Sequence, residues 1–174
     1  MSPIERGSRL HDLFGGLVEQ VFMVDLGVCD PQVVEYLTSI LMDFLHVDQI
    51  YRMRTINGEA IREIAEVEAQ AYLGAALDGS RRTFLVNRFI GDFTLFWAGV
   101  FPENLRPRRQ PHRLQEYLLR GKRSYGIASE FQFSNERPAP QVLRALSEQF
   151  EFCVHGLQCV RQGFENLPAA RLTN

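Results

Sequence analysis

Two residues of opposite charge, Arg88 and Asp92, interrupt the most apolar stretch of the chain, FLVNRFIGDFTLFWAGVF at residues 84–101. They are four positions apart, so on a helix they share a face and are close enough to form an ion pair. One interpretation is structural: an ion pair or cap that orients a buried helix. The other is functional: both residues, with Asn87 and Trp97, would line a pocket in which arginine holds the carboxylate or phosphate of an anionic ligand. The spacing leaves both interpretations open.

The remaining histidine and carboxylate spacings do not predict a catalytic or metal centre. Di-iron bundles require Glu-x-x-His on two helices, and this motif does not occur in the sequence. Asp43 and His46 form one Asp-x-x-His, at the end of a predicted helix where a histidine can instead interact with the helix dipole. A Gly-x-Ser-x-Gly motif and a phosphate-binding glycine loop are also missing. We therefore expect no metal ion and no cofactor, and the sequence favours a protein that is not an enzyme.

A stripe of polar side chains on the last predicted helix resembles a row of metal ligands, namely Glu148, Glu151, His155 and Cys159. The stripe lies opposite the apolar seam of that helix, so we expect a solvated face. The cysteines, of which the others are Cys29 and Cys153, are odd in number and widely spread, and the first residues are too polar for a signal peptide. These features predict a cytoplasmic protein with free thiols.

Basic side chains are concentrated between residues 106 and 123, where the only acid is Glu116. This cluster is a candidate surface for an anionic partner: an acidic protein, nucleic acid or the acidic half of a second copy. The slightly acidic net charge of −2 and the lack of a recognisable DNA-reading helix disfavour nucleic acid. The cluster consists of Arg106, Arg108, Arg109, Arg113, Arg120, Lys122 and Arg123.

Charge is distributed unevenly along the whole chain. Residues 1–80 contain 5 basic and 13 acidic side chains, whereas residues 81–174 contain 14 basic and 8 acidic ones. Either the two halves complement each other within one fold, or opposite potentials steer head-to-tail or two-fold self-association. Arginine accounts for 18 of the 19 basic residues, a bias that is typical of a GC-rich genome and weakens arguments from arginine clusters alone.

Hydrophobic periodicity near 3.6 predicts an all-α fold, a single-domain bundle of six helices over residues 1–174. Asp30 and Pro31 mark the start of the second helix as cap and first residue, and Gly15-Gly16 is a potential bend in the first. The last helix contains a heptad seam of Leu143, Leu146, Phe150, Cys153, Leu157, Val160 and Phe164. The predicted helices span about 9–26, 31–46, 59–77, 81–100, 111–131 and 139–165.

The apolar segment itself is predicted to be the central core helix, at about 81–100. A membrane span requires roughly 20 apolar residues, whereas Arg88 and Asp92 leave an uninterrupted run of nine. A helix that is apolar on nearly all sides must instead be enclosed by other helices. Small or polar residues at positions 87, 91, 94 and 98 indicate where a neighbouring helix approaches closely.

Taken together, these features predict a cytoplasmic, non-enzymatic helical bundle that binds another protein or itself. The alternative is a bundle that binds a small anionic molecule, or acts on it as an enzyme, in a pocket near Arg88 and Asp92. The sequence predicts no membrane insertion.

Overall fold

The computed structural model describes residues 3–28, 30–44, 79–105 and 112–167, apart from the side chains of residues 3–8, Asn104 and Arg113. The α-helices in this part of the chain are α1 (Pro3–Glu19), α2 (Pro31–Phe44), α3 (Gly79–Val100), α4 (Arg113–Ala128), α5 (Pro140–Glu148) and α6 (Phe150–Glu165). A π-helical turn at Gln20–Asp25 follows α1, and a 3-10 turn at Pro102–Leu105 follows α3. No β-strand occurs in the described residues, so the predicted all-α bundle is confirmed. The predicted helix at 59–77 lies outside them.

Helix α1 begins at Pro3, six residues before the predicted start at about 9, whereas α2 begins at Pro31 as predicted. Asp30 accepts a hydrogen bond from the backbone amide of Gln32 at 3.0 Å, which confirms the predicted cap of α2. The first helix passes through Gly15 and Gly16 and departs from α geometry only at Gln20. Gly27, with φ +73°, then reverses the chain in a conformation that other residues rarely adopt.

Helix α3 is the centre of the bundle, as predicted for the apolar segment. Its residues from Phe93 to Val100 are all buried. It packs against α2, α4 and α6. Gly91 meets the ring of Tyr125 so closely that an added Cβ would lie 2.5 Å from Cδ1 of that ring. The small side chains of α3 thus allow a close approach of α4. Within the described residues, no helix has the combination of length and apolarity that a bilayer crossing requires.

The helix predicted at 139–165 is broken at Gln149, whose φ of −112° and ψ of 30° leave the helical region. The segment before the break, α5, packs against α4 and α2, whereas the segment after it, α6, packs mainly against α3 and α1. Because of the break, the two parts of one apolar seam pack against different neighbours. Arg161 of α6 binds to the end of α3 by donating to the carbonyl oxygen of Val100 at 2.6 Å and to Glu103 at 2.8 Å.

Candidate functional site

Asp92 lies on the side of α3 that faces α2 and α4, and it joins these three helices through tyrosine hydroxyls. The hydroxyl of Tyr36 on α2 lies 2.7 Å from Oδ1 and 2.8 Å from Oδ2 of Asp92. The hydroxyl of Tyr125 on α4 donates to Oδ1 at 2.8 Å. One carboxyl group is therefore the acceptor for two neutral donors that are distant in the sequence.

The surroundings of this cluster shift the acid–base equilibria of all three side chains. Burial raises the pKa of Asp92 from 3.8 to about 7, although the two tyrosine hydrogen bonds and the charge of Arg88 act in the opposite direction. Burial, followed by the negative charge of Asp92, also raises the pKa of Tyr36 and of Tyr125 well above their usual value. The tyrosines therefore remain protonated donors, and Asp92 is the group in this cluster that can exchange a proton near neutral pH.

Arg88 does not pair with Asp92, so the ion-pair form of the structural interpretation is wrong. Its Nη1 atom donates to the backbone carbonyl oxygen of Arg137 at 2.6 Å and lies 3.4 Å from Oε2 of Glu136. Glu136 also pairs with Arg81, which lies two turns before Arg88 on α3. The Arg88 guanidinium binds to the loop that precedes α5, because this loop supplies both a carboxylate and a carbonyl oxygen. The Asp92 carboxylate already accepts hydrogen bonds from two tyrosines.

The other two residues of the predicted pocket lie elsewhere. Asn87 donates to the backbone oxygen of Thr83 at 2.8 Å and faces a groove between α3 and α4. Trp97 is fully buried, with aromatic neighbours Phe93, Phe96 and Phe101. The four residues predicted to line one pocket therefore lie in four places: Asp92 in the tyrosine cluster, Arg88 at the loop before α5, Asn87 in a surface groove and Trp97 in the core.

A cleft of about 380 Å³ does open beside the polar cluster, between α2 and the start of α5. Tyr36 lines this cleft and bonds to Asp92, while Arg137 lines it and accepts the hydrogen bond from Arg88. Sequence reasoning missed Tyr36 and Glu136 as functional candidates, because no local spacing connects them to α3.

A second opening, of about 450 Å³, lies on the surface between α3 and α4. We refer to it as the α3–α4 groove, and it is lined by Asn87, Ile90, Leu119, Arg120, Arg123, Ser124 and Ile127. Two members of the predicted basic cluster, Arg120 and Arg123, therefore border an apolar floor. A third member, Lys122, points to another side and pairs with Glu151 at 3.3 Å. Arg106, Arg108, Arg109 and the side chain of Arg113 lie outside the described residues.

The polar stripe predicted on the last helix is divided by the break at Gln149, with Glu148 at the end of α5 and Glu151, His155 and Cys159 on α6. Glu148, Glu151 and His155 are exposed, as predicted, and Cys159 is half-buried with its Sγ 3.7 Å from Nε2 of His155. Within the described part of the chain, no three histidine, cysteine or carboxylate side chains are placed to hold a metal ion together. Burial raises the pKa of Cys153 to about 12, so this thiol is not an activated nucleophile.

The chain matches no protein-family model, no curated protein and no solved structure.

Proposed function

We propose that this protein is a non-enzymatic interaction module whose partner is a second copy of the same chain. In this proposal the α3–α4 groove binds the acidic N-terminal helices of the neighbouring copy. The observation that carries the proposal is Leu119, which is 61% exposed and lines the groove together with the basic residues Arg120 and Arg123. An apolar side chain with a cationic rim is typical of a surface that receives an acidic, partly apolar partner.

The N-terminal helices have the complementary composition. Residues 9–44 contain one arginine and six carboxylates, whereas α4 contains four basic residues and one acid. Two large apolar side chains, Leu10 and Val24, are 43% and 66% exposed near the acidic side chains of Asp12, Glu19 and Asp25 in the sequence. Apolar contact with opposite surrounding charge supports head-to-tail association, in which two different surfaces of the chain meet.

Light scattering over a salt series tests this proposal. We expect dimers or larger species at low ionic strength and dissociation towards monomers as salt screens the contact. Arg123→Glu should weaken association at least tenfold, because it places a like charge opposite the exposed carboxylates of Asp12, Glu19 and Asp25, which we call the acidic face. Arg144→Glu is the matched control, since Arg144 is an exposed arginine of α5 outside the groove.

A mixing experiment distinguishes head-to-tail association from other modes. Glu19→Arg reverses a charge on the acidic face and should also weaken self-association. A mixture of the Arg123→Glu and Glu19→Arg proteins still contains one intact groove and one intact acidic face, so it should form mixed dimers. A monomer at all ionic strengths, or equal association of the groove variant and the Arg144→Glu control, contradicts the proposal.

A further inference from the structure

The cleft between α2 and the start of α5 has two chemically different walls. Its lining residues are Gln32, Glu35, Tyr36, Ser39, Arg137, Pro138, Ala139 and Val142. With a volume of about 380 Å³ it is at the small end of the range for ligand pockets. None of these residues belongs to the α3–α4 groove.

Apart from the Gln32 amide, which can donate or accept, the wall formed by α2 offers hydrogen-bond acceptors. The Tyr36 hydroxyl already donates its proton to Asp92, so its oxygen can only accept from a further group. The Ser39 hydroxyl likewise donates its proton to the Tyr36 carbonyl oxygen at 2.7 Å. Glu35, an exposed carboxylate, adds an acceptor with a formal negative charge. This wall therefore favours a ligand group that is a cationic donor.

The opposite wall offers donors and apolar surface. The Arg137 guanidinium is a pure donor, and it forms no ion pair within the described residues. Its backbone is held in place by the hydrogen bond from Arg88 to its carbonyl oxygen. Pro138, Ala139 and Val142 supply the apolar part of the lining. This wall favours an anionic acceptor that is attached to a small hydrocarbon group.

We propose that the cleft binds a free apolar α-amino acid in its zwitterionic form. The carboxylate of the ligand faces Arg137, its ammonium faces the acceptors of α2, and its side chain packs on Val142 and Pro138. A zwitterion is the smallest common ligand that complements both walls. A simple anion would leave Glu35 facing a like charge, and a simple cation would leave Arg137 without a counter-charge.

Isothermal titration calorimetry with L-leucine and L-phenylalanine as probes tests this site. We expect binding with a dissociation constant of about 1 mM or tighter, as befits a ligand with few atoms. N-acetyl-leucine lacks the ammonium and leucine amide lacks the carboxylate, so each should bind at least tenfold more weakly than leucine. No binding of either amino acid, or equal binding of leucine and both derivatives, overturns the proposal.

Variants of the two charged residues locate the site. Arg137→Gln and Glu35→Gln should each weaken leucine binding at least tenfold without changing the thermal unfolding midpoint substantially, because both side chains are exposed. The matched control is Arg144→Gln, which removes an exposed arginine outside the cleft and should leave binding unchanged. Leucine binding that is equally strong in all three variants places the ligand elsewhere and refutes this assignment.

Discussion

Arg88 and Asp92 occupy successive turns of α3, but the protein satisfies their charges with two different kinds of partner. Asp92 faces the interior of the bundle and accepts hydrogen bonds from two neutral hydroxyls on other helices. Arg88 lies nearer the edge of the bundle, where its guanidinium pairs with the carboxylate of Glu136 and donates to the carbonyl oxygen of Arg137. The comparison shows that residues one turn apart can belong to separate polar systems when different elements cover the two turns.

The two polar systems also differ in how they respond to pH. Neutral donors stabilise the Asp92 carboxylate less than the surrounding protein destabilises it, so the pKa of this group is raised towards neutrality. Arg88 is instead held by the carbonyl oxygen of Arg137 and the carboxylate of Glu136. The interior system is therefore sensitive to pH, whereas the edge system depends on the geometry of the loop before α5.

The pH dependence of the free energy of unfolding should show the difference between the two polar systems most strongly. The folded-state pKa of Asp92, about 7, lies above its ordinary value of 3.8, so the folded protein retains this proton in the interval between the two. Its stabilising contribution is complete below the unfolded pKa and is lost as the pH rises through the folded pKa. At about 1.4 kcal/mol per unit, the free energy of unfolding should fall by up to about 4 kcal/mol between about pH 4 and pH 8.

Asp92→Asn is the control that isolates this effect, because asparagine keeps an acceptor oxygen for the tyrosines and does not titrate. Urea unfolding of both proteins across this pH interval should give curves that diverge as the pH rises, with the wild type losing stability relative to the variant. Parallel curves would show that Asp92 titrates in the folded protein as it does in solution. Changes common to both proteins come from other groups and cancel in the difference.

Close packing of α3 on α4 positions the interior system, and Gly91→Ala tests it. The added Cβ would lie 2.5 Å from the Tyr125 ring, so the ring must move and its hydrogen bond to Asp92 must weaken. We expect a loss of about 2 kcal/mol in the free energy of unfolding, measured by urea denaturation.

The matched variant Gly16→Ala adds its Cβ where no atom lies within 4 Å. It should instead stabilise α1 by up to about 1 kcal/mol, and an equal response of the two proteins would contradict this account.

Several elements could be predicted from the sequence because their signals are local. The apolar run fixed the identity of α3 as the central helix, and Asp30 with Pro31 marked the start of α2. The partners of Arg88 and Asp92 could not be predicted, since Tyr36 is 56 positions from Asp92 and Glu136 is 48 positions from Arg88. Periodicity shows which face of a helix is buried, but it does not show which helix covers it.

The break at Gln149 illustrates the same limit. The heptad seam correctly indicated that Leu143, Leu146, Phe150, Cys153, Leu157 and Val160 are buried, whereas its last member, Phe164, is only half-buried. A regular seam is typical of one continuous helix with one partner, and nothing in its spacing indicates that its two parts pack against different neighbours. The change of partner is decided by the positions of α1, α3 and α4, which a local pattern does not contain.

Double-mutant cycles test directly whether Arg88 is coupled to Glu136 or to Asp92. The expected coupling energies are smaller than the effects predicted above. The cycle of Arg88→Met with Glu136→Gln should give a coupling energy of about 1 kcal/mol, because both side chains are mostly buried, at 21% and 14% exposure, and form an ion pair. The cycle of Arg88→Met with Asp92→Asn should give a smaller coupling, since only a long-range charge interaction links these residues. Each is measured by urea unfolding at one pH above about 8, where Asp92 is ionised. The opposite order of coupling energies would mean that Arg88 and Asp92 do form a pair in solution, and that the loop before α5 is not what holds the arginine.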